Sequence, residues 1–223
     1  MAVGTIPSLA RAIDATLLTP WARPEEVRAL CEEACALQVA AVCVLPFHVP
    51  LAASVLAGTS LRVAAAVAFP GGDSSPGAKA LDARRAAEAG AAELDVVLNL
   101  PAVRAGAWEV VEAELRATRA AAPGATLKWI VETAALSQEE IRRAVLLAGE
   151  SDADFVKTST GYGPGGATVE AVRLLRSLAG RMGVKAAGGI RTRSFALQLL
   201  AAGADRIGTS APRALLAGEV PRR

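Results

Sequence analysis

Lysine is nearly missing from this chain: of 24 basic residues 20 are arginine, and only Lys79, Lys128, Lys157 and Lys185 are lysine. Histidine is rarer still, with His48 alone, and the three cysteines (Cys31, Cys35 and Cys43) form no Cys-x-x-Cys pair. That poverty leaves no zinc ligand set, so neither a metal nor another cofactor is expected. No uninterrupted apolar run approaches the roughly 20 residues of a membrane span. Met1 to Pro7 carries neither the basic start nor the apolar stretch of an export signal. A net charge of +2 with mixed signs gives no footprint for nucleic acid or a membrane surface. An odd number of cysteines without an export signal fits reduced thiols in the cytoplasm. His48 follows Pro46-Phe47, is expected to begin a helix, and is assigned a structural role.

What is present is 52% hydrophobic and long enough for one large core, expected to form one domain over residues 1–223. Apolar strand-like runs alternate from end to end with alanine-rich segments of helical period. Eight strands are expected, ending near Thr16, Leu45, Phe69, Asn99, Glu132, Thr158, Ala186 and Thr209. Those ends lie 23 to 33 residues apart, close to the roughly 30 of a βαβ unit. Pro24-Glu25-Glu26 starts one helix and Ser137-Gln138-Glu139-Glu140 caps another. Gly90 and Gly203 each end a helix just before a strand. Eight such units suggest an α/β fold of the (β/α)8 TIM-barrel type. A doubly wound open sheet is the alternative, and the lack of a dinucleotide-type glycine fingerprint counts against it.

Three of the lysines stand inside apolar runs: Leu127-Lys128-Trp129-Ile130, Phe155-Val156-Lys157-Thr158 and Gly183-Val184-Lys185-Ala186. A buried ammonium is costly unless it is paired or loses its proton, and lysine, unlike arginine, can become a neutral amine. That chemistry suits attack on a carbonyl to form a Schiff base. Asp95, within Leu94-Asp95-Val96-Val97-Leu98, is the only charge inside its run and shares a face with Asn99. Two lysines and an aspartate on different strands favour catalysis, with an inert ion-pair layer inside the barrel as the alternative. Ala187-Gly188-Gly189-Ile190 and Gly208-Thr209-Ser210 follow the seventh and eighth strands, where barrels hold phosphate on backbone N–H groups. The run from Gly161 to Gly166 is either a cover for substrate or a plain connector.

At Phe155-Val156-Lys157-Thr158-Ser159-Thr160-Gly161, with Val184-Lys185-Ala186-Ala187-Gly188-Gly189-Ile190-Arg191, the chain resembles the class I deoxyribose-phosphate aldolases. Ile13-Asp14-Ala15-Thr16-Leu17-Leu18, Val42-Cys43-Val44, Glu93-Leu94-Asp95-Val96-Val97-Leu98-Asn99 and Arg206-Ile207-Gly208-Thr209-Ser210 extend the likeness over nearly the whole length. The resemblance implies reversible cleavage of 2-deoxy-D-ribose 5-phosphate to glyceraldehyde 3-phosphate and acetaldehyde, in deoxyribose phosphate breakdown. It matches Lys157 with the Schiff-base lysine and Lys185 with the neighbour whose charge keeps that amine free. It matches Asp95 with the proton-relay acid, and Gly161, Gly188, Gly189, Gly208 and Ser210 with the phosphate side. It also implies a homo-oligomer, dimer or tetramer, acting on a small phosphorylated sugar. Ala15 departs from the histidine of many members, and Ala211 from a second serine.

Overall fold

A computed structural model describes residues 9–217, so the amino-terminal stretch read above for an export signal lies outside it. Eight parallel strands run in sequence order: β1 (Ile13–Leu17), β2 (Ala41–Val44), β3 (Arg62–Val67), β4 (Glu93–Val97), β5 (Thr126–Ile130), β6 (Phe155–Lys157), β7 (Gly183–Ala187) and β8 (Arg206–Thr209). β1 pairs with β8 as well as with β2, which closes the sheet into a (β/α)8 barrel. Around it lie α1 (Pro24–Leu37), α2 (Val49–Val55), α3 (Pro76–Glu88), α4 (Leu100–Ala105), α5 (Trp108–Ala121), α6 (Gln138–Glu150), α7 (Val169–Leu178), α8 (Arg193–Ala201) and α9 (Pro212–Ala217).

The strands are mostly apolar because both of their faces are covered, by helices outside and by the packed interior within. Alternation sorts the side chains. On β3, Val63, Ala65 and Val67 join the large core under the helices, whereas Ala64 and Ala66 join Leu18 and Cys43 in a small inner cluster. Leu45 and Phe69 pack on that inner cluster at the barrel mouth.

Local signals act where expected. Ser137 Oγ accepts from the Glu140 N–H while the Glu140 carboxylate accepts from the Ser137 N–H, a reciprocal cap for α6. Pro24 opens α1 and Pro76 opens α3. Strand ends fall within two residues of the expected ones. The differences have a cause: Phe69, Asn99 and Glu132 leave the ladder, Asn99 to cap α4 and Glu132 to take a left-handed backbone with φ 56°. His48 ends a short 3₁₀ turn, Pro46–His48, and is buried beside Phe47.

The fourth lysine is also buried. Lys79 stands on α3 at the i, i+4, i+7 spacing it shares with Ala83 and Ala86, so the helix turns it inward. Its Nζ meets Glu114 of α5 at 2.5 Å and donates to the carbonyls of Gly72 (3.0 Å) and Val97 (2.7 Å). Glu114 in turn accepts the Asn99 N–H at 2.8 Å. Burial pushes the Lys79 pKa down and the Glu114 pKa up, against the attraction between them. The cluster pins the β3–α3 loop to the end of β4. Lys79→Met strands a buried carboxylate and two carbonyls, so denaturant titration should show a loss of about 3–5 kcal/mol. A midpoint within error of the parent protein would show that the pair contributes nothing to the fold.

Candidate active site

β4 brings Glu93 and Asp95 into the barrel because they alternate with Leu94 and Val96, which face the helices. Lys128 on β5, Lys157 on β6 and Lys185 on β7 point to the same interior. Lys157 Nζ and Lys185 Nζ each lie 2.7 Å from one oxygen of Asp95, Oδ2. Two contacts of that length place the amines no more than twice that distance apart. The other oxygen, Oδ1, is 3.1 Å from Lys128 Nζ. The three residues proposed from sequence for catalysis therefore meet, the two lysines converging on the carboxylate of Asp95.

That carboxylate does not stand alone. Asp14 on β1 bonds Lys185, Arg206 and Lys128, the last at 3.0 Å. Glu93 lies 2.5 Å from Lys128 and 3.3 Å from Arg206. Burial would raise the pKa values of Asp14 and Asp95, but the surrounding cations outweigh it and hold both below the usual range, Asp95 well below. Burial would likewise lower Lys185, and the carboxylates of Asp14 and Asp95 overcome it and raise its pKa. Lys128 is raised by the same contest. Lys185 and Lys128 are thus held as ammonium ions. Cys43 Sγ lies 3.9 Å from Asp95 Oδ2, and burial, with Asp95 adding to it, pushes the thiol up to about 11. It is a neutral thiol in the inner wall.

Above Lys157 opens a cavity of about 290 Å³ at the C-terminal ends of β1, β6, β7 and β8. Gly161, Gly188, Gly189, Gly208 and Ser210 all line it, and Lys157 forms its floor. Asp95 and Lys185 are not on its surface; they lie beneath Lys157, fully buried. Two glycines are dictated by space. A Cβ on Gly188 (φ 97°) would come within 3.0 Å of Gly166 Cα, and one on Gly208 within 3.2 Å of Lys185 Cε. Gly208 thus leaves room beside the Lys185 side chain.

The run from Gly161 to Gly166 is held rather than loose at its start. The buried Glu132 carboxylate accepts the Thr160 N–H at 3.0 Å and the Thr160 hydroxyl, which itself accepts the Tyr162 N–H. Tyr162 then meets Phe69 of the β3 loop edge-on, with ring centroids 5.2 Å apart. Arg191 also lines the cavity. Asp14 stands two residues before the expected strand end at Thr16, and the sequence does not show that three cations meet on it. Sequence reasoning passed over Glu93 and Arg206 as members of the buried set, although each is an inward position on a strand. Among the described residues no group of three or more His, Cys, Asp or Glu is arranged to hold a metal ion. No helix there is long and apolar enough to cross a membrane.

The same arrangement of chain is found in known proteins. The deoxyribose-phosphate aldolase of Deinococcus radiodurans is 47% identical over 212 residues, which is 95% of this chain and 96% of that one. The Thermus thermophilus protein of the same name is 48% identical, again covering 95% and 96%. The solved structure of the tetrameric deoxyribose phosphate aldolase from Aeropyrum pernix superimposes with a TM-score of 0.90 at 34% identity. It covers 96% of this chain and 92% of its own. The family described as DeoC/LacD family aldolase matches residues 9–218. By sequence, by barrel and by a match running nearly end to end, the chain belongs to the DeoC/LacD family of aldolases, carbon–carbon lyases.

Proposed function

We propose that the chain is a Schiff-base aldolase that cleaves 2-deoxy-D-ribose 5-phosphate reversibly to glyceraldehyde 3-phosphate and acetaldehyde. The observation that carries this reading is one lysine amine on the floor of an open cavity, beside a carboxylate that a second lysine already meets. The Lys157 amine attacks C1 of the open-chain sugar and loses water to give an iminium ion. Loss of the C3 hydroxyl proton breaks the C2–C3 bond, and its electron pair moves into the iminium to form an enamine. Glyceraldehyde 3-phosphate departs, a proton is returned to C2, and water releases acetaldehyde and the free amine. Asp95 and Lys185 are the groups placed to pass those protons, through water. The iminium is the electron sink, and the reading invokes neither a metal nor a cofactor.

The phosphate belongs at the loops after β7 and β8, where Gly188, Gly189, Gly208 and Ser210 line the cavity, with Gly161 packed against Gly188. Ser210→Glu puts like charge against the phosphate. It should raise KM for the phosphorylated sugar by about tenfold or more and leave unphosphorylated deoxyribose little changed. Equal changes for both substrates would place the phosphate elsewhere. The reading also gives the chain a homo-oligomeric state, dimer or tetramer, supported by the tetramer of its Aeropyrum pernix relative. Its place is deoxyribose phosphate breakdown in the cytoplasm, within a single catalytic domain.

The deciding experiment is borohydride reduction in the presence of acetaldehyde, followed by peptide mapping. A two-carbon addition at Lys157 alone is expected. Labelling at Lys128 or Lys185, or at no lysine, overturns the assignment. Turnover of deoxyribose 5-phosphate, compared with fructose and dihydroxyacetone phosphates, separates this substrate from other sugar phosphates.

A further inference from the structure

The ion-paired charges under the cavity do not sum to zero if every group is ionised. Each strand contributes one or two titratable groups to this set: Asp14 from β1, Cys43 from β2, Arg62 from β3, Glu93 and Asp95 from β4, Lys128 from β5, Lys157 from β6, Lys185 from β7 and Arg206 from β8. Cys43 is neutral. Arg62 reaches Glu93 at 3.6 Å from outside, with 59% of its side chain exposed, so water screens it. Glu132 turns its carboxylate to Thr160, and Arg191 and Tyr162 lie on the solvent side of the cavity; none of these three makes an ion pair with the set among the described residues. What remains is three carboxylates, Asp14, Glu93 and Asp95, facing four cations, Lys128, Lys157, Lys185 and Arg206. Lys128 and Lys185 each contact two or more carboxylates, and Arg206 is a guanidinium bonded to two. Lys157 touches one carboxylate only, which it shares with both other lysines, and it alone opens to the cavity.

We propose that Glu93 and Arg206, at the end of the barrel away from the substrate, set the fraction of Lys157 present as a free amine, because the charge each carries reaches Lys157 through the carboxylates and the lysine that link them. Both are positioning residues. Each begins its strand at the N-terminal rim and acts on Lys157 through Lys128, Asp14 and Asp95. In a closed interior of low effective dielectric, one added or removed charge is felt over several Å. The idea rests on Lys157 being the imine-forming residue proposed above.

The two ends of the count can be moved separately. Arg206→Met removes a cation, so the ammonium form of Lys157 is favoured and the pH midpoint of borohydride trapping should rise by roughly one unit. Glu93→Gln keeps shape and an acceptor for Lys128 but removes an anion, so the midpoint should fall by a similar amount. The double variant Arg206→Met/Glu93→Gln restores the balance and should return the midpoint close to that of the parent protein. Damage to packing alone moves both single variants the same way and the double variant further. Midpoints that shift in one direction, do not shift, or fail to return in the double variant overturn the proposal. If Arg206→Met does not fold, the Glu93→Gln midpoint decides by itself, and a value unchanged or raised overturns it. Peptide mapping on each sample keeps the two ideas apart: a label absent from Lys157 defeats the imine assignment, whereas a label at Lys157 with the wrong shifts defeats only the charge balance.

Discussion

Lys157→Arg should yield a folded, charged and inactive protein, with turnover of deoxyribose 5-phosphate lower by about 10³-fold or more, the scale on which enzymes lose a covalent nucleophile. Arginine keeps a positive group within reach of Asp95, so the carboxylate that Lys157 meets at 2.7 Å is not stranded. What arginine cannot do is give up its proton near neutral pH and attack a carbonyl. The substitution therefore separates two roles that a lysine in a charge cluster can have. If Lys157 were only part of an inert ion-pair layer, arginine would serve nearly as well, and activity and acetaldehyde trapping would persist. Loss of both, with an unchanged unfolding midpoint, is the result that the cavity above this one amine leads us to expect.

Asp95→Asn should lower turnover by about 10²-fold or more, the usual scale for losing a general acid–base group. Asparagine preserves the outline of the side chain but removes the one charge on which Lys128, Lys157 and Lys185 converge. It also removes the acceptor able to take and return a proton. Imine trapping should survive better than turnover, because attack by the amine needs no proton transfer to carbon. A single-turnover trapping yield close to that of the parent protein, with slow steady-state cleavage, is the expected pattern. Cleavage at the parent rate would assign the relay to another group.

The barrel was legible because its strands are covered on both faces and so read as apolar runs between helix signals. Lys128, Lys157, Lys185 and Asp95 stood out for the same reason, as charges in places where burial forbids an unpaired one. Lys79 was passed over because its neighbours, among them Asp82, Arg84 and Arg85, make the segment look like a solvated helix. Only its spacing with Ala83 and Ala86 betrays the inward face. The junction at Asp14 was beyond reach for a different reason. It joins residues of β1, β5, β7 and β8 at one point, and that depends on how far the strands are staggered around the barrel. No local pattern records the stagger. The contact of Phe69 with Tyr162 across the mouth is unreadable on the same grounds.

The burial of all four lysines leaves the outside of the molecule without side-chain amines. Positive charge facing water is carried by guanidinium groups, which do not react with activated esters. Reagents that tether proteins to resins or dyes through amines would therefore find no lysine side chain on the surface. A small acylating agent able to enter the cavity would reach Lys157 before any other lysine. Loss of activity during such a reaction would measure entry to the cavity rather than wear on the surface.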